Sequence, residues 1–597
     1  MRKKAGWLDR YSYDASIEIL IDLALQHAAK SGPFAEAITA CLRDRNFMGL
    51  LDFDLSYDWG LDPQHLVHAR QALAFFEKFE PLELPGVSKT LNAFRRFAKS
   101  EASCKDVNKR FCQYTLGTPL GYPFDSILED ARRKIACILG TAPPLSEMHF
   151  RFGPGATVNV QKKDACPRVK LGVQLTCSNE LAPYAKLLLA ELPTLVEHHG
   201  QLLQTTTSDE EEVLRYSVDV EVVPGRLQFV PKDAKKFRTI TVEPGLNTLF
   251  QQGIGRAIRK RLSKAGVDLS TQERNRALAY AGSRNDHLAT IDFSSASDTI
   301  ATQMVAFLLP EDWYILMDVA RTRTVTYNGL VIKLEKFSTM GNSYTFELES
   351  LLFYSLAWAC LSHLGLSKRD LCIFGDDLIV PSRSYPLIEL VFSYCGFFVN
   401  HEKSFVSGPF RESCGADYYL GFDIRPYYQK TLVSAETLFT LHNHYMRTGE
   451  LTFADYIREK WIHPDLHRFG PDGYGDGHLI GPWESKPKRV KCRSVSSSGK
   501  SKIQKFPHTA LGWEGSFFTA FRRSSRHETR PHSGDAALPA YSIYVRGTPD
   551  DLPIVAATSQ SITPKELWAD PKHFVVPGSE GYEEVSIYTL SRGIFLR

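Results

Sequence analysis

The sequence predicts an α+β fold, and three observations carry that reading. Residues 1 to about 110 have helix-forming composition, with polar and charged residues among the apolar ones at Leu23-Ala24 to Ala28-Ala29 and at Ala69 to Phe79. Residues 205 to 245 alternate and are rich in Val, which suits strands. Leu371-Cys372-Ile373-Phe374 and Leu378-Ile379-Val380 are short apolar runs around Gly375-Asp376, the pattern of a tight β-hairpin.

At 597 residues the chain exceeds one ordinary domain, so three or four subdomains around a shared core are expected. The net charge of +3 does not mark a nucleic-acid binder, so any such contact has to come from local basic clusters. Eleven cysteines without one Cys-x-x-Cys pair argue against a zinc ribbon and a disulfide framework, and fit a reducing cytosol. Met1-Arg2-Lys3-Lys4 is followed by Asp9, Arg10 and Asp14, so no signal peptide is expected. The longest apolar stretch, Leu351 to Leu366, contains Ser355, Ser362 and His363 and is short for a bilayer. A buried helix is expected there, and no membrane partner.

Glycine and proline punctuate the chain at Gly117 to Pro123 and at Phe152 to Thr157. The expected division is 1–120, mostly helical; 121–285; 286–425, densest in chemical motifs; and 426–597, within which the composition shifts beyond about 470. Between Lys486 and Lys505 lie eight Lys or Arg and no acid, so a basic loop is expected at 486–505. A solvated linker and an RNA contact are its two readings.

The hairpin at Phe374-Gly375-Asp376-Asp377 presents two adjacent carboxylates at its tip. Paired, rigid carboxylates suit divalent cations, which need oxygen ligands. Gly-Asp-Asp alone is also an ordinary solvated turn, so the surrounding segments decide. Upstream, Leu288-Ala289-Thr290-Ile291 reads as an apolar strand ending in Asp292, a third acid able to complete a two-metal cage. Ser294-Ser295-Ala296-Ser297 then permit close approach, and Asp298 is placed to reach a ribose hydroxyl. Ser338 to Ser350 is a Gly-containing loop running into an apolar helix, where Gly341, Thr345 and Glu349 are four apart. Ser338, Asn342 and Thr345 offer hydrogen bonds to a sugar or backbone. Val230 to Ile240 holds four cations in seven residues, Lys232, Lys235, Lys236 and Arg238, suited to a triphosphate or to a solvated edge strand. Lys403, after the strand-like Gly396-Phe397-Phe398-Val399, is a candidate general acid for a leaving group.

In chain order, the basic strand, the strand-end Asp292, the Gly341 loop and helix, the Asp376-Asp377 hairpin and Lys403 resemble the palm of template-dependent RNA polymerases. More narrowly, the chain resembles the replicase catalytic (β) subunit of positive-strand RNA bacteriophages of the Qβ type. Val242-Glu243-Pro244-Gly245, Phe250 to Gly255, Met340-Gly341-Asn342 with Tyr344 to Leu351, Gly408 to Gly415, Pro471 to Gly477, and Arg151-Phe152 with Gly155-Ala156-Thr157 carry the likeness, from about residue 125 to 480. The resemblance implies a right-hand polymerase with an antiparallel palm sheet at 286–425, fingers at 121–285 and a thumb within 426–597. It implies RNA-directed RNA polymerase activity with two Mg2+ ions, Mn2+ being a substitute, on Asp292, Asp376 and Asp377. It assigns triphosphate contacts to Lys232, Lys235 and Arg238, ribose selection to Asp298, nucleotide contacts to Gly341, Asn342 and Thr345, and proton donation to Lys403. The implied partners are RNA template and product, ribonucleoside triphosphates, host elongation factors Tu and Ts, and an RNA-binding ribosomal protein, in the cytoplasm of a bacterial host. Phe374 stands where the family often has Tyr, and Glu349 where many other RNA polymerases have Asn, which leaves open which groups read the 2′-hydroxyl. A reverse transcriptase and a non-catalytic RNA-binding scaffold are the alternatives. Asp298 argues against the first, and the three acids with Lys403 against the second.

Overall fold

The computed structural model describes residues 11–208, 211–483, 490–495, 501–506, 514–523, 542 and 582–591. Burial of two separate apolar surfaces organises them. The larger core runs from helix Lys89–Thr115 through helices Phe124–Leu139, Gly245–Lys264, Thr345–His363 and Tyr385–Tyr394. Helix Thr345–His363 lies at its centre, with Leu348, Leu351, Leu352, Phe353 and Leu356 fully buried. A helix apolar on every side has to be enclosed on every side, so the stretch expected as a buried helix is one. Among the described residues, no helix is long and apolar enough to cross a membrane.

The second core joins the first helices to others more than 350 residues later. Helices Tyr13–Ala28, Ala35–Arg43 and Pro63–Glu77 share it with helices Ala435–Thr448 and Leu451–Lys460. His27 sits in it, its Nδ1 3.0 Å from His68 Nδ1, its Nε2 2.6 Å from the Tyr445 hydroxyl, and its ring stacked on Phe453. Burial pushes the His27 pKa well down and lowers that of His68 to about 4, so both rings pack as neutral groups. Helix Lys89–Thr115 leaves this unit, because Cys104, Val107 and Phe111 belong to the larger core. Its 27 residues span about 40 Å at the α-helical rise, enough to link the two.

The sheets are small. Strands Cys372–Phe374 and Asp377–Pro381 form the expected hairpin, and Asp377–Pro381 also pairs antiparallel with Leu288–Ile291. The free edge of Leu288–Ile291 is covered by bridges from Thr290 to Phe405 and, two residues past the strand's end, from Phe293 to Val399. Strands Gly225–Pro231 and Phe237–Val242 form a second hairpin, which joins Thr324–Tyr327 and Leu330–Lys333 in a four-stranded sheet. A third sheet, Phe410–Ser413, Ala416–Tyr419 and Phe422–Asp423, packs on helix Glu273–Asn285. The expected basic loop contributes two paired strands instead, Val490–Val495 with Ser501–Phe506. Val490 and Cys492 alternate with Lys491 and Arg493 at the strand period. Its residues 486–489 and 496–500 lie outside the described residues.

One contact locks two of these units together. The Thr241 N–H donates to the Met340 carbonyl at 3.0 Å, so the loop before helix Thr345–His363 lies along strand Phe237–Val242. Gly341 has φ +136°, and a Cβ there would fall 2.0 Å from the Thr241 carbonyl oxygen. Only glycine fits. Gly341→Ala is expected to cost about 3 kcal/mol or more, from backbone strain plus a clash with rigid backbone. Gly86→Ala, at φ +74° with nothing within 4 Å, is expected to cost about 1 kcal/mol. Urea melts of the two variants check this, and equal losses would refute the close-approach argument.

Candidate active site

Strand register brings two of the acids together. Ile291 pairs with Leu378, so Asp292 and Asp377 are the next positions facing each other at the same end of the sheet. Asp376 occupies the adjoining turn. That turn is held against helix Thr345–His363: the Gly375 N–H donates to Ser350 Oγ at 3.0 Å, and a Cβ on Gly375 would meet the Phe346 ring at 2.8 Å. Asn275 Nδ2 donates to the Asp377 carbonyl at 3.1 Å. Asn400 Nδ2 donates to Asp292 Oδ2 at 2.9 Å, and the Asp292 N–H donates to Ser404 Oγ at 3.0 Å. Asp292, the turn before Asp376 and Asp377 are thus each anchored by hydrogen bonds from outside the hairpin.

The acids repel one another. Burial, then Asp376, raises the Asp377 carboxyl to about 7, although the Cys414 backbone N–H donates to it. Asp376 is raised by burial and then by Asp292, while Lys232 and Arg238 pull it back. A fourth carboxyl, the buried Glu349, lies nearby. Burial and then Asp376 push it well above the usual range, and Ser297 Oγ donates to it at 3.2 Å. Among the described residues, no three His, Cys, Asp or Glu side chains converge into a ready-made metal cage. The donor chemistry nevertheless fits a hard divalent cation: the facing groups are carboxylate oxygens whose mutual repulsion a cation relieves.

A cluster of cations lies near the acids. Burial lowers the Lys232 pKa to about 8, and repulsion from Arg238, Lys236, Arg96 and Lys403 adds to the shift. Five cations therefore share one region, and two of them act on Asp376. Burial works against the charge on Lys403, but Glu412 and Asp292 outweigh it and raise its pKa. Oxygen donors beside a concentrated positive field are the two halves of a site that handles a polyphosphate.

Not every residue expected here joins this arrangement. Lys235 is ion-paired with Asp52 instead of standing with the other cations, because the turn at Asp233 directs neighbouring side chains differently. Lys236 holds the cluster position that Lys235 was expected to take. Asp298 Oδ1 is 2.9 Å from the buried Lys336 ammonium, which also meets Glu101 at 3.1 Å. Gly341 packs on Thr241 as described. Asn342 Oδ1 accepts from the Tyr344 N–H at 3.1 Å and Thr345 Oγ1 donates to the Thr339 carbonyl at 2.8 Å, so both side chains hold the loop's shape. Arg96 was missed. It arrives from helix Lys89–Thr115, where its Nη2 donates to Ser295 Oγ at 3.2 Å, and nothing local in Arg95-Arg96 marks it.

The RNA replicase, beta-chain family model matches residues 71–455. The chain is 33% identical over 443 residues to the RNA-directed RNA polymerase subunit beta of Qbeta virus (strain MX1), covering 72% of each chain. It is 35% identical to that of Escherichia virus Qbeta, covering 68% of this chain and 67% of the relative, and 31% identical to that of Enterobacteria phage SP, covering 81% and 82%. A solved "RdRp complex" aligns over 74% of this chain and 40% of its own at 10% identity and a TM-score of 0.33, too loosely to bear on the fold. The chain belongs to the RNA replicase β-chain family.

The crowded acids have a consequence for stability. The Asp377 carboxyl ionises near 7 against an ordinary 3.8, so the fold disfavours its charged form. That penalty is absent below the ordinary value and grows until pH passes the raised one. In metal-free protein, Asp377→Asn is expected to stabilise the chain by roughly 2–4 kcal/mol at pH 8, and by less than half as much at pH 5. Denaturant melts at the two pH values test this, and an equal gain at both would contradict it.

Proposed function

We propose that the chain is the catalytic subunit of an RNA-directed RNA polymerase that replicates a positive-strand RNA phage genome by two-metal nucleotidyl transfer. The observation that carries the reading is the facing of Asp292 and Asp377, with Asp376 in the adjoining turn, against the field of Lys232, Lys236, Arg238 and Arg96. The named relatives are RNA-directed RNA polymerase β subunits. Asp292, Asp376 and Asp377 would hold the ions, Mg2+ or in its place Mn2+. When bound, such ions lower the pKa of an attacking hydroxyl and neutralise the leaving pyrophosphate.

The chain's own groups supply the rest. Lys232, Lys236, Arg238 and Arg96 receive the triphosphate. Lys403, kept protonated by Glu412 and Asp292, holds a proton at Nζ for the departing pyrophosphate. Asp298, anchored through Oδ1 by Lys336, selects the ribose. Gly341, Asn342 and Thr345 act by shaping the loop beside the site, and Lys235 contributes through Asp52 to the turn's position. Base pairing with the template specifies each nucleotide. In the right-hand layout this reading entails, residues 286–425 form the palm, 121–285 the fingers, and the thumb lies within 426–597.

A β subunit implies further subunits. Elongation factors Tu and Ts and an RNA-binding ribosomal protein complete the enzyme in the host cytoplasm. Purified alone, the chain is then expected to gain activity on addition of bacterial extract. A fully active lone chain would exclude that requirement.

The direct test is incorporation of labelled ribo- and deoxyribonucleotides on an RNA template. Ribonucleotide product is expected to need magnesium and to fall at least about 10³-fold in Asp377→Asn. Deoxyribonucleotide product would overturn the assignment. Arg96→Ala is expected to raise the ribonucleotide KM about tenfold, the loss of one charge-assisted contact, with folding unchanged by circular dichroism.

A further inference from the structure

The fold encloses the Lys336 ammonium almost completely, with 1% of its side chain exposed. Taking such a charge out of water is costly, and a well-packed apolar side chain of similar volume often serves stability as well or better. Stability therefore does not account for a cation at this position. Nζ lies 2.9 Å from Asp298 Oδ1, 3.1 Å from Glu101 Oε1 and 4.3 Å from the centre of the Phe97 ring. Its donors thus face two carboxylates and an aromatic ring. Glu101 and Phe97 both come from helix Lys89–Thr115, the helix that carries Arg96.

Glu101 is held at both oxygens. Oε1 faces Lys336, and Oε2 accepts from the Glu335 N–H at 2.6 Å. Phe97, Glu101, Cys104 and Asn108 follow the three- and four-residue spacing of one helix face. That face meets the same two segments again. Cys104 Sγ lies 3.6 Å from the Asp298 carbonyl oxygen, and Asn108 Nδ2 donates to the Glu335 carbonyl at 2.8 Å. Beyond Asp298 the two segments are tied to each other. The Phe337 N–H donates to the Ile300 carbonyl at 2.7 Å, and Ala301 bridges to Lys336. Helix, Asp298 turn and Lys336 segment form one braced unit. Within it Asp298 Oδ1 is committed to Lys336, while among the described residues Oδ2 accepts no hydrogen bond. Asp298 keeps 17% of its side chain exposed, so its carboxylate still reaches solvent.

We propose that Lys336 and Glu101 are positioning residues for sugar selection: by fixing Oδ1 they leave the other Asp298 oxygen aimed to accept from a nucleotide's 2′-hydroxyl. The inference rests on the polymerase reading above and on Asp298 as its ribose contact. A site that hydrogen-bonds a substrate hydroxyl rejects the analogue lacking it, because its own polar group is then left unpaired. That rejection needs an acceptor held in one orientation. Without the ammonium, Asp298 and Glu101 would face each other as two carboxylates across the space Lys336 fills, and repulsion would turn them apart. An ion pair that served the fold alone would be indifferent to which sugar the nucleotide carries.

The test is single-nucleotide incorporation by the full chain on an RNA primer and template, with kcat/KM measured for a ribonucleotide and for the matching 2′-deoxyribonucleotide. Lys336→Met is expected to lower the ribonucleotide value about tenfold or more, the loss of a hydrogen bond to a charged acceptor. The deoxyribonucleotide value should stay near that of the parent chain. Glu101→Gln keeps the shape but replaces one acceptor by a donor, and should give the same selective loss in smaller measure. Asp298→Ala should lose the discrimination too, and adding Lys336→Met to it should change the ratio no further. Lys105→Gln, exposed on the same helix, should change neither value. Circular dichroism and urea melts establish which variants fold, and Glu101→Gln carries the test if Lys336→Met does not. An equal fall for both sugars, an unchanged ratio, or a further loss when Lys336→Met is added to Asp298→Ala would each overturn the proposal. Absence of ribonucleotide product from the parent chain would overturn the polymerase reading and the proposal with it. Product from the parent chain with unaltered discrimination in Asp298→Ala would overturn the proposal and leave the polymerase reading standing.

Discussion

Everything at this site depends on enclosure of one helix. Thr345–His363 is apolar on all sides, so the larger core forms around it. Its Ser350 and Phe346 fix the turn at Gly375 from one side. Its leading loop is clamped to the strand ending at Val242 through Gly341 and Thr241. The acidic hairpin and the cationic hairpin are thus both referenced to one rigid element. Without it, the Gly375 turn would lose its anchor, and strand pairing with Asn275, Asn400 and Ser404 would be left to hold mutually repelling carboxylates whose own interaction is unfavourable.

Charge at the site is arranged as a frustrated pair of fields. Asp377 and Glu349 are pushed toward the neutral form, chiefly by burial and then by Asp376. Lys232 is pushed toward the neutral form by burial and neighbouring cations. Each field lacks sufficient internal compensation, which is the expected condition of a site whose ligands bring the missing charges. The Lys336 ammonium shows the contrasting arrangement: buried between Glu101 and Asp298, it is compensated within the fold. A buried charge with its partners in place positions what it touches, while a crowd of like charges signals chemistry.

The two-core packing has a different logic. Residues 13–28 and 63–77 meet residues 435–460 around His27, His68, Tyr445 and Phe453. Joining these distant segments in one core ties the first helices to residues 435–460. Helix Lys89–Thr115 then carries Arg96 from that unit to the candidate site, which is how a residue far upstream enters the cation cluster.

The sequence alone determined the elements whose period or composition is self-sufficient. The apolar runs flanking Gly375-Asp376 had to pair, the run after Thr345 had to be buried, and the order of acids and cations matched one family. Asp292, Asp376, Asp377, Lys232, Arg238 and Lys403 were legible because each sits at the end of, or beside, such an element. Tertiary structure decided what depends on distance across the chain. It placed Lys235 on Asp52 and put Lys236 and Arg96 with Lys232, and it gave Asp298 to Lys336. It also set Glu101 and Phe97 of helix Lys89–Thr115 around Lys336. Side-chain direction within a turn and approach between residues far apart in the chain leave no periodic trace in sequence, so only packing could fix them.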